Sequence, residues 1–229
     1  MSNEHVDLLK WDEIGKHFYE MGVRKGVFYL QNSDGSYGDG EAWNGLSTVT
    51  QSPSGAEANK IYADDIQYLN VYSKEEFGAT IEAYTYPDGF AQCNGEASLA
   101  AGVVIGQQAR KSFGFCYRSI IGNDVAGEDY GYKLHIIYGA KASPSERSHA
   151  SVNDSPEPSP FSWEITTTPI EVPGHQPTSY ISFDSTKTDP EKLAVLEAIL
   201  YGTAADATNN VAEVKARLPL PEEIAQIFG

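Results

Sequence analysis

Alternating hydrophobic and polar positions dominate the middle of this chain, and longer helical spacing appears near its two ends. In "FGATIEAYTYP", which starts at Phe77, Ala79, Ile81 and Ala83 alternate with Thr80, Glu82 and Tyr84. That period of two predicts a strand with one buried face. "KSFGFCYRSIIG" (111–122) puts Phe113, Phe115 and Tyr117 on one face, and "GYKLHIIYGA" (131–140) does the same with Tyr132, Leu134, Ile136 and Tyr138. The turn residues of "GND" and "EDYG" lie between them, so the two are expected to pair antiparallel. "GVFYL" (26–30), "IQYLNVYS" (66–73), "FSWEITTTP" (161–169) and "TSYISFD" (178–184) also read as strands, and 46–65 reads as a broken strand and turn.

Val6, Leu8, Leu9, Ile14 and Phe18, mixed with charges, form a short amphipathic helical pattern at the start of the chain. "PDGFAQCNG" (87–95) suits one helical turn, opened at Pro87 and closed at Asn94-Gly95. "TKTDPEKLAVLEAILYG" (186–202) has Thr188 three residues before Glu191, a capping-box spacing, with Pro190 in the first turn. Leu193, Leu196, Ile199 and Leu200 make its apolar stripe, and Gly202 is the expected stop. Residues 203–210 read as a linker, and "LPLPEEIAQIFG" (218–229) as a short helix begun by Pro221. Two segments carry no such periodicity. The Gly-rich "QNSDGSYGDGEAWNG" (31–45) reads as a long loop or the tip of an extended hairpin. "KASPSERSHASVNDSPEPSP" (141–160) is rich in Ser and Pro, with "HASVN" (149–153) as a short edge-strand candidate. A structureless stretch of that length points to a contact arm.

The length of 229 residues fits one large all-β domain or two small ones. A hydrophobic content of 41% and an aromatic content of 11% predict an ordered core. No apolar run approaches the roughly 20 residues of a membrane span. "MSNEHVDLLKWDE" has acids where a signal peptide has bases, which predicts a soluble protein kept in the cytoplasm. Cys93 and Cys116 are expected as free thiols in or near the core of a protein from a reducing compartment. The 16 bases against 32 acids give a net charge of −16, which repels phosphate backbones and argues against a nucleic-acid binder. A surface past which DNA slides without sticking is acidic too.

Candidate chemistry is sparse. His5, His17, His135, His149 and His175 are scattered without metal-ligand spacing, and His135, alternating within a strand, is expected at a surface or interface. No G-x-S-x-G elbow occurs, and "GDGEAW" lacks the lysine of a phosphate loop. Asn32, Asp34 and Asp39 suggest calcium, but Tyr37 stands where a hand-type loop needs its glycine. Asp154, Glu157 and Glu164 near Trp163 suggest a glycosidase pair, which needs two carboxyls facing one sugar. Strand alternation places Glu164 opposite Phe161, Trp163 and Ile165, so the turn-then-strand reading is the better one. No catalytic residue, cofactor or metal is expected.

The strings "YADDIQYLNVYSKEEFGATIEAYTYPDGFAQCNG" (62–95), "IGQQARKSFGFCYRSIIGND" (105–124), "GYKLHIIYGAKASPSE" (131–146), "VNDSPEPSPFSWEITTTPIEV" (152–172), "DSTK…LEAILYG" (184–202) and "RLPLPEE" (217–223) resemble the major tail tube proteins of long-tailed bacteriophages. The resemblance runs in order over most of the chain from about residue 24. It implies a mainly β fold, two antiparallel sheets packed as a sandwich or half-barrel with a flanking helix and a short C-terminal helical segment. It implies a division into an N-terminal segment (1–23), a β domain (24–185) and a C-terminal helix, linker and terminal helical segment (186–229). It also implies a non-enzymatic virion protein, assembled in the bacterial host cytoplasm. Six copies would form a ring, and stacked rings a tube conducting the genome. The implied partners are further copies of the chain, a tape-measure protein, a tail terminator, a distal tail protein, and DNA passing through the lumen without specific binding.

On this reading, 31–45 and 141–160 are arms reaching neighbouring subunits, with Asp34, Tyr37, Asp39, Trp43, Ser145 and Asp154 as contact residues. Removal of 31–45 is then expected to leave the subunit folded. Phe113, Phe115, Tyr132, Leu134, Phe161 and Trp163 are the expected core anchors. Two other classes compete. The 14 Tyr and 3 Trp suit a β-sandwich carbohydrate-binding module, and the acids near Trp163 suit an enzyme.

Overall fold

The computed structural model describes residues 9–149, 151, 152, 154, 158–205 and 213–229, and these are mainly β-strand. In chain order the strands are β1 (Phe18–Gln31), β2 (Tyr37–Trp43), β3 (Leu46–Gln51), β4 (Ser54–Gly55), β5 (Ala58–Ala63), β6 (Ile66–Tyr72) and β7 (Glu75–Glu76). They continue as β8 (Gly78–Ala83), β9 (Ala97–Ala100), β10 (Val103–Ile105), β11 (Phe113–Asn123), β12 (Gly127–Ala142), β13 (Phe161–Thr167) and β14 (Tyr180–Asp184). A 3-10 turn (Asp88–Gln92) follows β8, and helices α1 (Pro190–Tyr201) and α2 (Pro221–Phe228) come last.

β11 and β12 pair antiparallel as their patterns predict, with Phe115 opposite Ile137, Tyr117 opposite His135 and Ser119 opposite Lys133. Around them runs one sheet in the order β2-β1-β11-β12-β13-β8-β3, with β14 also on β12. The two expected layers are therefore two halves of a single antiparallel sheet, joined through β12. Residues 133–137 of β12 pair with β14, and Ala140–Ala142 pair with β13. Between these stretches the β11 register slips, and Gly139 takes φ +56°. A Cβ at that position would collide with the Thr168 carbonyl, so the bulge that bends β12 requires glycine.

The bend gives the sheet a concave and a convex face, each with its own core. Inside lie Phe28, Trp43, Ile81, Phe113, Phe115, Ile137, Trp163 and Ile165. Phe90, carried in by the 3-10 turn, plugs this space with ring centroids 4.6 Å from Trp43, 5.1 Å from Trp163 and 5.3 Å from Phe113. These tilted and edge-on contacts match the electrostatics of aromatic rings. Outside, Val27, Tyr29, Leu134, Ile136, Tyr138 and Phe183 pack against Leu193, Leu196 and Leu200 of α1, and against Leu218 and Ile224. Tyr29 donates a hydrogen bond to the Leu200 carbonyl (2.6 Å) and Tyr138 to the Pro219 carbonyl (2.9 Å), which ties the C-terminal helices to the sheet.

Several expectations change. No helix forms among described residues 9–17, and the β1 ladder begins at Phe18, ahead of residue 24. Residues 1–8, including Val6 and Leu8 of that pattern, lie outside the described residues. Of the two readings of the Gly-rich segment 31–45, the hairpin holds and the long loop does not: β1 and β2 pair antiparallel on either side of a short turn at 32–36. The segment contains β2, where Gly40 lets the Tyr29 and Val27 side chains lie across the backbone. Asp189, and not Thr188, caps α1 by accepting from the Glu191 N–H (2.9 Å), with Pro190 directly after it. "HASVN" contributes no strand among its described residues, and most of the 203–210 linker lies outside the described residues.

Removing 31–45 therefore takes a strand and Trp43 from the core, and the shortened chain is expected not to fold cooperatively. Phe90→Ala should cost about 3–5 kcal/mol. Chemical denaturation measures this, and an unchanged midpoint would show that the turn does not plug the sheet.

Candidate functional site

One group of apolar side chains left outside both cores lies on a single projection. β5 and β6 form a hairpin whose two tip residues, Asp64 and Asp65, have φ 51° and 61°. This is the type I′ geometry that suits a right-twisted ribbon, and Asp tolerates it. Every residue of β5 is exposed, as is all of β6 except half-buried Asn70. Tyr62, Ile66, Tyr68 and Tyr72 stand between 64% and 73% exposed, with Ile61, Leu69 and Val71 also open. Among the described residues these strands pair only with each other. β4 and β7 pair at the base of the projection. A second two-stranded hairpin, β9–β10, exposes Leu99, Val103, Val104 and Ile105.

The open end of the concave face is polar. Along β11 the inner positions run from Phe113 and Phe115 through Tyr117 to Ser119, and along β12 from Ile137 to His135 and Lys133. Glu20 of β1, Gln51 of β3 and Tyr180 of β14 complete the walls of a cavity of about 460 Å³. His135, expected at a surface, is only 3% exposed, stacked on Tyr117 with ring centroids 4.4 Å apart. Its position alternates outward only in a sheet with one buried face, and this sheet is buried on both.

The hydrogen bonds fix the imidazole's tautomer. Glu20 accepts from Lys133 Nζ (2.6 Å) and from the Ser119 hydroxyl (2.5 Å). Burial raises the Glu20 carboxyl, but the Lys133 and Ser119 hydrogen bonds outweigh it, so the group lies below the ordinary carboxylate range. Since Ser119 donates to a carboxylate, the 2.7 Å contact with His135 Nε2 must be Nε2–H donating to Ser119 Oγ. Nδ1 then accepts from the Tyr180 hydroxyl (2.7 Å), which itself accepts from Gln51 Nε2 (3.1 Å). An activated serine needs the opposite tautomer, with Nε2 free to take the proton. In this geometry the Ser119–His135 pair is a structural hydrogen-bond chain.

The residues expected to make contacts separate. Tyr37 and Trp43 are 8% and 3% exposed and belong to the two cores. Tyr37 accepts from the Gly139 N–H (2.9 Å), and Trp43 donates to the Thr85 carbonyl (2.9 Å). Burial removes both from any contact surface of the folded subunit. Asp34 closes the β1–β2 turn by accepting from Ser36 N–H and Oγ, and Asp39 pairs with Lys215 at 2.9 Å. Ser145 is half-buried and Asp154 exposed, both outside any strand. Of the anchors, Phe113, Phe115, Leu134 and Trp163 are fully buried, and Tyr132 and Phe161 half-buried. Glu164 is exposed while Trp163 is buried, so the two point apart, and Glu157 lies outside the described residues. Cys93 and Cys116 are buried free thiols, each pushed up to about 12 by burial.

Neither the hairpin nor the polar mouth was singled out from sequence. "IQYLNVYS" was legible as a strand but not as an exposed one, because the mutual pairing that isolates it is a property of the fold. Glu20, Gln51, Ser119, Lys133 and Tyr180 form no motif, since β1, β3, β11, β12 and β14 each contribute to the cavity. No family model matches the chain, and no curated protein matches it.

Burial pushes His135 down to about 4, against the attraction of Glu20, with Lys133 adding to the drop. The unfolded chain takes up this proton near pH 6.5 and the folded chain only near 4, so the contribution is complete above about 6.5 and lost as pH falls toward 4. The loss should reach ~3 kcal/mol. Denaturant unfolding across pH 7 to 4 should show this slope in the native protein and not in His135→Gln; equal slopes would refute the assignment.

Proposed function

We propose that this protein is a structural subunit that assembles with copies of itself into stacked hexameric rings, forming the tail tube of a long-tailed bacteriophage. The observation that carries the reading is the β5–β6 hairpin. An isolated two-stranded hairpin is marginal in water, and one with apolar side chains open on both faces and two free edges is a template for further association. Its chemistry, tyrosines and branched aliphatics with few charges, suits the centre of a protein–protein contact. The hairpin inserts against a different surface of a neighbouring copy. Such a contact is heterologous, and repetition of heterologous contacts gives rings or open tubes.

The ordered resemblance of the strand strings to tail tube proteins supports the tube among these forms. So does the net charge of −16, which favours passage of DNA over capture. On this reading the chain is a component of the virion, made in the bacterial cytoplasm. It meets a tape-measure protein inside the tube, and a tail terminator and a distal tail protein at its ends. Its role is mechanical, with no reaction catalysed.

Tyr62→Ser with Tyr68→Ser should leave subunit stability within about 0.5 kcal/mol, as for other exposed positions. The same double variant should abolish assembly. Sizing and negative-stain electron microscopy read both forms. Long hollow tubes from the native chain and monomers from the variant support the reading. A native chain that stays monomeric at high concentration, or a variant that forms normal tubes, overturns it.

A further inference from the structure

The projection leaves the sheet at two places, after Gln51 at the end of β3 and before Gly78 at the start of β8. The side chains at both places converge on one residue. Gln51 Nε2 donates to the Tyr180 hydroxyl (3.1 Å) and to the Tyr117 hydroxyl (2.8 Å). Phe77 lies flat on the Tyr180 ring, with centroids 4.8 Å apart and an interplanar angle of 8°. The Phe77 carbonyl accepts from Thr167 Oγ1 (2.6 Å), and the Ser52 N–H donates to the Gly78 carbonyl (2.8 Å), which holds the backbones of the two roots together. Tyr180 is itself fixed from behind, because its hydroxyl donates to the buried His135 Nδ1.

We propose that Tyr180 is the positioning residue of the hairpin arm, clamping Gln51 and Phe77 at its two roots so that 52–77 projects in one direction from the subunit. The clamp rests on the reading of that hairpin as the assembly arm. Its consequence is preorganisation, since an arm held in its docking direction loses less conformational freedom when a neighbour covers it. It also gives the polar mouth a purpose without ligand chemistry. The chain from Glu20 through Ser119 and His135 leaves the Tyr180 hydroxyl one orientation, with its O–H directed at His135 Nδ1 and a lone pair facing Gln51 Nε2. Backbone pairing continues from β3–β8 through Ser52 and Gly78 into β4–β7 and holds the two roots to each other, while the Tyr180 contacts add side chains that tie both roots to β14.

The test reads the arm in the isolated subunit. Spin labels are attached at Ala63→Cys, on the arm, and at Ala194→Cys, on the exposed side of α1. Cys93 and Cys116 are fully buried and escape labelling. Pulsed electron resonance should give one narrow distance in the native background. Tyr180→Phe, which keeps the stacked ring and removes the hydroxyl, should broaden it, and Phe77→Ala should broaden it further. Near-ultraviolet circular dichroism checks that the body stays folded. If Tyr180→Phe does not fold, the distance in Phe77→Ala decides. A distance as narrow in the folded variants as in the native background overturns the clamp. A narrow native distance that broadens as expected, in a protein that never assembles, counts against the assembly reading and leaves the clamp standing.

Discussion

The bend of β12 at Gly139 is the constraint on which this molecule is organised. A straight strand of 16 residues carries one sheet with two flat faces; the bulge makes the same strand serve two layers. Along β11, and where β1 from Gly26 and β12 from Leu134 flank it, side chains on both faces are buried. The concave side needs a plug, which Phe90 provides, and the convex side needs a cover, which α1, α2 and the segment around Leu218 provide. Three tyrosines on the convex face reach toward that cover, Tyr29 to Leu200, Tyr138 to Pro219 and Tyr132 to Glu197. Hydrophobic burial thus sets the layering, and a few buried hydroxyls fix the register of the helices upon it.

What the two cores do not use defines the outward face of the protein. The apolar side chains of β5 and β6 have no place in either core, and the hairpin that presents them turns tightly at Asp64 and Asp65 and has Phe77 stacked on Tyr180 at its base. On the reading proposed here, intermolecular burial completes what the subunit leaves undone, with a second copy supplying the missing layer. The segment around Asp154 differs in kind. Its start is held by Arg147, paired with Glu96 at 2.8 Å and lying over the Tyr86 and Phe161 rings.

The alternation of "FGATIEA" and the face of Phe113, Phe115 and Tyr117 were legible from sequence, because each strand's inner positions are uniformly apolar. The stripe of Leu193, Leu196 and Leu200 was legible for the same reason, although the cap moved one residue to Asp189. In segment 31–45 the hairpin was legible but its burial was not, because Gly40, of a type that usually marks a loop, here makes room for the Tyr29 and Val27 side chains over a strand. Leu9, Ile14 and Phe18 do not sit in a helix, because helical spacing over so short a stretch gains too little to form one against water. Gly15 and His17 bond instead to the Asp124 carboxylate, which the Gly15 N–H and then His17 draw down to about 2. His135 alternates as a surface residue does in a sheet with one wet face, but here both faces around it are covered. The polar mouth depends on which strands curl together, and periodicity within single strands carries no record of that.

Three-dimensional reconstruction of the purified, concentrated protein by electron cryomicroscopy tests the central claim most directly. The expected result is stacked sixfold rings around an open lumen, with residues 58–72 of each copy buried against a neighbouring copy. A monomer whose β5–β6 hairpin stays in solvent, or an assembly that leaves the hairpin uncovered, would contradict it.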